Sequence, residues 1–234
     1  MGNEISFIFD IIDMVMENID IEKNDFEIPS EVLDEIQQNI QDIINGFDIP
    51  DDNKMDVIKK INFMYTQTKQ LSETDSLTRL YNRRHFEMDL DREFKRAKRY
   101  KNPLSLAIID IDYFKNFNDN YGHLCGDYVL REIAYIIVNN FRQTDSVARY
   151  GGEEFAVILT ETGEEASYIP LERLREKIEN SQFKYNGQTF KVTVSIGVTS
   201  KVDSETSWEM FEEADRALYV AKKDGRNRVV SFVR

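Results

Sequence analysis

The chain has 234 residues, of which 41% are hydrophobic, so it can form one large domain or a medium domain with a small companion. A single cysteine excludes an internal disulfide, and the presence of only two histidines argues against a zinc site. No apolar stretch approaches the ~20 residues that span a bilayer. The most apolar segment, residues 5–16, contains two aspartates and lacks a basic leader, so we predict a cytoplasmic protein without a membrane span or signal peptide.

The net charge of −13 is concentrated in the first third of the chain. Residues 1–75 contain 18 acidic residues and 5 lysines, whereas residues 76–234 contain 25 acidic and 25 basic residues. This difference predicts a domain boundary near residue 75. The acidic N-terminal region disfavours binding to nucleic acid or to an anionic membrane, and the neutral C-terminal region is compatible with a small anionic substrate.

Residues 1–72 contain three segments with helical periodicity. Apolar spacings of three and four predict a helix over residues 4–20, and Pro29 and Pro50 introduce two further helices. The third, which we predict to run from about residue 54 to residue 73, has apolar spacing typical of a coiled coil. The simplest interpretation is a small helical bundle, and the alternative is a stalk that pairs two protomers. The pattern indicates no ligand for this region.

Two glycines and two glutamates, residues 151–154, lie between two short β-type segments. This pattern predicts a hairpin, because glycine reaches positive φ without steric cost, and paired glycines let a phosphate approach the backbone. Further upstream, the buried-strand pattern of residues 104–109 ends at Asp110. Carboxylates from two neighbouring strands supply the oxygen ligands that divalent cations require. Taken alone, residues 151–154 are equally compatible with a surface hairpin whose glutamates are solvated.

Three separated motifs point to one family. Residues 149–155, Arg-Tyr-Gly-Gly-Glu-Glu-Phe, resemble the signature of the GGDEF family of diguanylate cyclases in its GGEEF form. Residues 75–84 resemble the family's D-x-L-T-x-L-x-N-R-R motif, with Arg79 where the family usually has glycine. Residues 221–227 resemble its A-K-x-x-G-R-N segment. The resemblance covers residues 73–234 and does not extend to residues 1–72.

The elements predicted for residues 73–234 are, in order, helix, strand, helices, strand hairpin, helix, strands, helix and strand. Interleaved crossovers of this kind suit an antiparallel sheet covered by helices. The resemblance implies an α/β fold of the α+β kind, with the ferredoxin-like βαββαβ core of nucleotide cyclases and polymerase palms. We also predict a helix over residues 128–141, a hairpin at residues 186–187 and one strand over residues 190–198.

The resemblance also implies how a nucleotide and its metal ions are held. Asp110, the Ile111 carbonyl and Glu153 are expected to bind two Mg²⁺ ions, which Mn²⁺ can replace. Glu154 is expected to support the second metal or the attacking hydroxyl, so Asp110, Glu153 and Glu154 form the catalytic set. The remaining contacts to the substrate are expected from Phe114, Lys115, Gly151, Gly152, Lys222 and Arg226.

Two further pairs have roles implied by the resemblance. Asn118 and Asp127 match positions that read the edge of guanine, and Asp127 favours GTP over ATP. Arg142 and Asp145 match the family's R-x-x-D inhibitory site, which binds a dimer of the product, and Arg173 is a secondary contact there. Taken alone, an arginine and an aspartate three residues apart usually form a surface ion pair. Their fixed distance from the glycines favours the inhibitory site.

The implied activity is the condensation of two GTP molecules into cyclic di-GMP and two pyrophosphates. Each catalytic domain holds one GTP, so the reaction requires a homodimer, which the N-terminal helices are expected to arrange. Cyclic di-GMP is expected to be both product and allosteric inhibitor. Two other classes remain open: a catalytically silent receptor for GTP or cyclic di-GMP, and a signalling scaffold in which the N-terminal helices act and the catalytic half docks. Chemistry on ATP is disfavoured by Asp127.

Overall fold

Five helices and seven strands lie within residues 73–200 and 205–232, which the structure, a computed structural model, describes together with Gln38. Residues Thr74–Arg234 form one compact unit. Apart from Gln38, the predicted helices and stalk of residues 1–72 lie outside the described residues. The elements are, in chain order, α1 (Arg83–Tyr100), β1 (Leu104–Ile111), α2 (Phe114–Tyr121), α3 (His123–Val138), β2 (Ser146–Arg149), β3 (Glu154–Thr160), α4 (Glu164–Asn180), β4 (Phe183–Tyr185), β5 (Gln188–Phe190), β6 (Val194–Thr199), α5 (Ser207–Lys223) and β7 (Val229–Ser231).

The five-stranded sheet has the order β2-β3-β1-β6-β7. Strand β1 lies antiparallel between β3 and β6, and β2 is antiparallel to β3, so these four strands have the predicted ferredoxin-like arrangement. The prediction of an antiparallel sheet is wrong for β7, which pairs parallel to β6. The reason is the helix between them, because α5 returns the chain to the starting end of the sheet, as in a βαβ unit.

Strand β1 is the central strand, and all eight of its residues are buried. Its side chains alternate between two hydrophobic layers, because successive residues of a strand point to opposite faces. The even-numbered residues of 104–108 share a cluster with apolar side chains of α1 and α5, whereas the odd-numbered residues of 107–111 share one with α3 and α4. By the same alternation, Asp110 belongs to the face that α1 and α5 cover.

Helix α5 packs closely on β6, and Gly197 makes this approach possible. A Cβ atom at Gly197 would collide with the backbone N of Leu218 and the carbonyl O of Ala214, so the helix rests directly on the sheet backbone. Ala214, Leu218 and Lys222 follow one another at intervals of four residues and therefore share one side of the helix. The close contact carries Lys222 toward the end of β1.

The strand predicted over residues 190–198 is wrong as a single element. Strand β5 ends at Phe190 and pairs with β4 in a separate two-stranded ribbon, and β6 begins at Val194 in the main sheet. The turn at residues 186–187 is confirmed, since both residues have positive φ, as a primed turn requires. Helix α3 begins at residue 123 rather than 128, because Gly122, with φ of 82°, ends α2 and lets a new helix follow at once.

Residues 75–82 form the predicted turn into α1. The Asp75 carboxylate accepts hydrogen bonds from the backbone N and the hydroxyl of Thr78, at 2.8 and 2.7 Å. Asn82 Oδ1 accepts a bond from the backbone N of His85 and caps the helix. Arg79 has φ of 62°, the left-handed region in which glycine costs least, which explains why glycine suits this position.

Candidate active site

Three carboxylates meet where β1 and β3 lie side by side. In the antiparallel register of the two strands, Asp110 pairs with Glu154. One residue further on, the backbone N of Ile111 donates to the carbonyl O of Glu153 at 3.3 Å. The pairing therefore brings Asp110, Glu153 and Glu154 to the same end of the sheet.

Asp110 is the most enclosed of these carboxylates, with 5% of its surface exposed. Burial raises the pKa of Asp110, Lys222 opposes this rise with its Nζ 2.7 Å from Asp110 Oδ2, and the negative charges of Glu154 and Asp112 add to it. Burial also raises the pKa of Glu153, and the charge of Asp110 raises it further. Asp110 and Glu153 therefore lie close enough to interact, and Lys222 offsets only part of their negative charge.

This excess of negative charge suits a divalent cation. Within residues 73–200 and 205–232, no three His, Cys, Asp or Glu side chains are grouped so as to hold an ion by themselves. Mg²⁺ at nucleotide sites usually takes one or two carboxylates and completes its shell with water and substrate phosphates. Asp110, Glu153 and the Ile111 carbonyl fit that pattern, because they offer oxygen ligands and because a cation would lower the raised pKa of both carboxyls.

The loop of residues 150–153 differs from the predicted glycine turn. Neither Gly151 nor Gly152 has positive φ, so the prediction that the turn needs glycine for this conformation is wrong. A Cβ atom at Gly151 would lie 2.7 Å from Glu154 Oε2, so this glycine makes room for the carboxylate. In the described part of the chain, no atom outside the neighbouring residues lies within 4 Å of the place a Cβ would take at Gly152, and a phosphate can approach the backbone there.

The two residues before the glycines hold this loop in place. Arg149 Nη1 donates to both carboxylate oxygens of Asp75 at 3.1 Å, and Arg149 Nη2 donates to the carbonyl O of Gly152 at 2.7 Å. The Tyr150 ring stacks with the guanidinium of Arg83, whose Cζ lies 4.6 Å from the ring centroid. The turn at Asp75 and the start of α1 are therefore attached to the loop. Arg149 was not predicted to have a role, although its position directly before the glycines was an available signal.

A candidate base pocket lies where α2 meets α3. Asn118 Oδ1 is buried and has no hydrogen-bond partner within the described residues. A Cβ atom at Gly126 would collide with this oxygen and would lie 3.2 Å from Phe114 Cζ, so Gly126 leaves the space that the Asn118 amide occupies. Asp127 is the next residue of α3. A buried amide oxygen without a partner is costly, and a donor on a ligand would satisfy it.

The basic residues expected at the triphosphate lie on three different elements. Lys115 is exposed in the first turn of α2, Lys222 is paired with Asp110, and Arg226 lies in the loop after α5. The fold thus brings Lys222 directly to the carboxylates. The Arg226 guanidinium instead stacks on the ring of Tyr113, the residue before α2.

Asp112, two residues after Asp110, is bound by protein donors. Its carboxylate accepts hydrogen bonds from Thr193 Oγ1 and Ser195 Oγ, both at 2.6 Å, and from the backbone N of Asn227 at 3.1 Å. These bonds join the end of β1 to the start of β6 and to the loop after α5. No local pattern indicates this role, because all three partners lie more than eighty residues away along the chain.

Comparison with known families agrees with this site. The family described as "Diguanylate cyclase, GGDEF domain" matches residues 72–228. The chain belongs to the GGDEF family. Its curated relatives include Diguanylate cyclase A of Treponema denticola, 42% identical over 168 residues, and Diguanylate cyclase DgcP of Pseudomonas aeruginosa, 44% identical over 161 residues. These alignments cover 70% and 69% of this chain but 45% and 24% of the relatives, so the chain spans less than half the length of either.

Solved structures confirm the predicted fold of the GGDEF domain. The GGDEF domain of DgcB from Caulobacter crescentus, in complex with cyclic di-GMP, has a TM-score of 0.68 at 37% identity and covers 70% of this chain and 94% of its own. Diguanylate cyclase SiaD from Pseudomonas aeruginosa, in complex with its activator SiaC, has a TM-score of 0.69 at 30% identity. The match covers 98% of this chain and 83% of the SiaD chain. No helix among the described residues is long and apolar enough to cross a membrane.

Arg142 and Asp145 lie in the turn that joins α3 to β2. Asp145 Oδ2 accepts the backbone N of Arg142 at 3.0 Å, and Oδ1 accepts the backbone N of Thr160 at 3.3 Å, so Asp145 fixes the turn through the backbone. The exposed Arg142 lines a cavity of about 300 Å³ that Arg96 of α1 also lines. Arg96 was not predicted, because only the folded chain brings α1 beside this turn.

Arg173, in α4, forms hydrogen bonds with Asn140. Its Nε and Nη2 donate to the side-chain oxygen and the carbonyl O of Asn140 at 3.0 and 2.6 Å. These bonds tie α4 to the end of α3, two residues before Arg142. In this structure Arg173 therefore supports the segment that carries Arg142.

Replacing Asp110 by Asn should raise the thermal stability of the chain in EDTA. Because the pKa of Asp110 is raised by folding, the folded state binds this proton more tightly than the unfolded state, and ionised Asp110 costs stability at neutral pH. We expect Tm at pH 7, measured by calorimetry, to rise by about 2–4 °C, which corresponds to about 1 kcal/mol in a chain of this size. The difference should shrink as the pH falls toward 3.8, where the wild-type group also becomes protonated.

Asp112→Asn is the matched control for this measurement. It changes a second buried carboxylate at the end of the same strand, but one that accepts three hydrogen bonds from protein groups. We expect its Tm to fall below that of the wild type. A lower Tm for Asp110→Asn as well would show that the Lys222 ion pair outweighs the cost of burial, and would contradict the prediction.

Proposed function

We propose that this GGDEF protein is a diguanylate cyclase, which joins two GTP molecules into cyclic di-GMP and releases two pyrophosphates. The observation that carries the proposal is the buried Asp110 carboxylate beside Glu153 and Glu154, where Lys222 offsets only part of the negative charge. The curated relatives support it, since two proteins named diguanylate cyclases are 42% and 44% identical to this chain.

Each half of the reaction forms one bond and breaks one. A ribose 3′-oxygen bonds to the α-phosphorus of the other GTP, and the bond from that phosphorus to the pyrophosphate oxygen breaks. The 3′-hydroxyl proton passes to Glu154 and then to water, while Lys115, Lys222 and Arg226 neutralise the departing pyrophosphate. When bound at Asp110, the Ile111 carbonyl and Glu153, Mg²⁺ or Mn²⁺ supplies charge that lowers the pKa of the 3′-hydroxyl and stabilises the leaving group.

GTP is the proposed substrate because of the acceptors at the junction of α2 and α3. Guanine offers N1–H and an exocyclic amine as donors, and the buried Asn118 Oδ1 and the Asp127 carboxylate are acceptors. Adenine presents an acceptor at N1, so it would leave one of these oxygens unpaired at a substantial cost. A substrate of this kind also favours the cytoplasmic location predicted from the sequence.

A homodimer is part of the proposal, because one carboxylate site per chain serves one GTP and the product contains two guanosine units. The N-terminal residues 1–72 are proposed to set the distance between the two sites. SiaD, whose structure covers 98% of this chain, was crystallised with an activator protein. We therefore propose that an activating protein partner acts through residues 1–72.

The purified chain should convert GTP into cyclic di-GMP and pyrophosphate with Mg²⁺, and should leave ATP unchanged, as measured by chromatography. Gly126→Ala should raise the KM for GTP at least about tenfold, because the added methyl group takes the space of the Asn118 amide. Gly163→Ala is the matched control, since its Cβ would meet only a Pro103 carbon at 3.8 Å, an ordinary contact.

The other outcomes of this experiment decide between classes. Binding of GTP or cyclic di-GMP without any cyclic product would favour a catalytically silent receptor. A chain that bound neither nucleotide would favour a signalling scaffold. Formation of a mixed or adenine-containing cyclic product when ATP is supplied with GTP would contradict the role of Asp127.

Replacing Arg142 by Ala should weaken inhibition by cyclic di-GMP at least about tenfold. The exposed Arg142 offers a planar fork to phosphate and guanine acceptors beside Arg96, whereas Asp145 is held by the backbone. The measurement is the concentration of cyclic di-GMP that halves the rate. Gln143→Ala, an exposed neighbour, should leave this concentration unchanged. Unaltered inhibition in Arg142→Ala would rule out this site.

A truncated chain of residues 73–234 should be less active per molecule than the full chain at equal, submicromolar concentration. Without residues 1–72 two sites meet only by diffusion, so we expect a loss of about tenfold or more that shrinks as concentration rises. Truncation should leave a folded domain, because the GGDEF domain of DgcB was crystallised by itself. Equal rates for both chains at every concentration would contradict the role of residues 1–72 in pairing.

A further inference from the structure

Tyr113 lies between the end of β1 and the start of α2, and its side chain contacts Arg226. It is the N-cap residue of α2, directly before Phe114. Its side chain is 62% exposed and is therefore not part of the hydrophobic core. The Arg226 guanidinium stacks on the ring, with Cζ 4.3 Å from the ring centroid, and Arg226 Nη1 donates to the Tyr113 hydroxyl at 3.2 Å.

The backbone on both sides of this contact has an unusual conformation. Tyr113 has φ of 58°, and Arg226 and Asn227 have φ of 64° and 47°. Residues other than glycine rarely adopt this left-handed region, and they stay in it where the surrounding contacts fix them. Two such segments that meet through their side chains indicate that the contact is built into the fold.

Asn227 anchors the loop that carries Arg226. Its backbone N donates to the buried Asp112 carboxylate at 3.1 Å. Its side-chain amide accepts a bond from Arg175 Nη1 at 3.1 Å and donates to Glu179 Oε1 at 2.7 Å. The residue before Tyr113 therefore fixes the backbone beside Arg226, while Tyr113 itself holds the guanidinium.

We propose that Tyr113 is a positioning residue, which holds the Arg226 guanidinium ready for the phosphate oxygens of GTP. The proposal rests on the proposed function, in which Arg226 neutralises the departing pyrophosphate. A free arginine side chain loses rotamer freedom when it binds a ligand, and one already stacked on a ring loses less. Tyr113 thereby strengthens phosphate binding without touching the reacting atoms.

The alternative is a surface stack that affects folding alone. An exposed cation–π contact contributes modestly to stability. In that case substitution of Tyr113 would shift Tm slightly and leave phosphate affinity unchanged. Phosphate affinity therefore separates the two explanations.

The experiment compares Tyr113→Leu, Tyr113→Phe, Arg226→Ala and the double variant Tyr113→Leu/Arg226→Ala in the full chain. We expect Tyr113→Leu to raise the KM for GTP about three- to fivefold with kcat within about twofold of the wild type, the size expected for an exposed cation–π contact. Tyr113→Phe, which keeps the ring, should change KM less than about twofold. The double variant should have the same KM for GTP as Arg226→Ala, because Tyr113 acts through Arg226.

One further measurement makes the test independent of turnover, and one further variant serves as its control. The Kd of inorganic pyrophosphate, measured by calorimetry, should rise in Tyr113→Leu by the same factor as KM. Tyr135→Leu is the matched control, because Tyr135 is 69% exposed on α3 and should affect neither value. If Tyr113→Leu failed to fold, Tyr113→Asn would take its place, because asparagine tolerates the left-handed φ of residue 113 and also removes the ring.

Unchanged or lower KM and pyrophosphate Kd in Tyr113→Leu would overturn the proposal, and so would full multiplication of the two single effects in the double variant. A fall in KM would mean that the ring holds Arg226 away from the phosphates. If the wild-type chain formed no cyclic di-GMP, the proposed function would fail, whereas the pyrophosphate measurements would still decide the role of Tyr113.

Discussion

The register between β1 and β3 is the constraint on which the whole site depends. A shift of one residue would move Asp110 to the other face of the sheet, away from Lys222, because side chains alternate along a strand. The register is fixed by apolar burial on both faces of β1, where every residue is enclosed. The same packing that stabilises the domain therefore places the carboxylates. Asp110 belongs both to a core strand and to the candidate active site.

This arrangement concentrates charge where the protein can least solvate it. Burial raises the pKa of both Asp110 and Glu153, and Lys222, the single cation close to them among the described residues, comes from the last turn of α5. That helix reaches the site because Gly197 lets it rest on the sheet backbone. Apolar packing along α5 thus supplies one positive charge, and the negative charge that remains favours a bound cation. The buried negative charge that favours a bound cation also lowers the stability of the folded chain.

The sequence predicted most of the core, because apolar periodicity is a local signal, and its short motifs contain the three carboxylates that the strand pairing brings together. It did not predict the parallel pairing of β7 or the break after Phe190, because both depend on how a helix and a ribbon pack. The glycines at 151 and 152 were predicted for positive φ, but neither has it, and Gly151 instead makes room for the Glu154 carboxylate. The roles of Asp112 and Arg96 require partners that are distant in sequence, so no local pattern could reveal them, whereas the position of Arg149 directly before the glycines was an available signal.

Contacts of two arginines fix the loops on which the candidate site depends. The loop of residues 150–153 lacks a rigid glycine turn, so Arg149 fixes it by joining Asp75 to the Gly152 carbonyl. The loop after α5 is fixed at Asn227 by Asp112, and the Arg226 guanidinium stacks on Tyr113. Asp75 and Asp112 therefore act alike, since each carboxylate immobilises a loop that carries predicted substrate-binding residues. In the proposed reaction, the residues that contact GTP are held in place by the Arg149–Asp75 ion pair and by the hydrogen bond from Asn227 to Asp112, whose members do not contact GTP themselves.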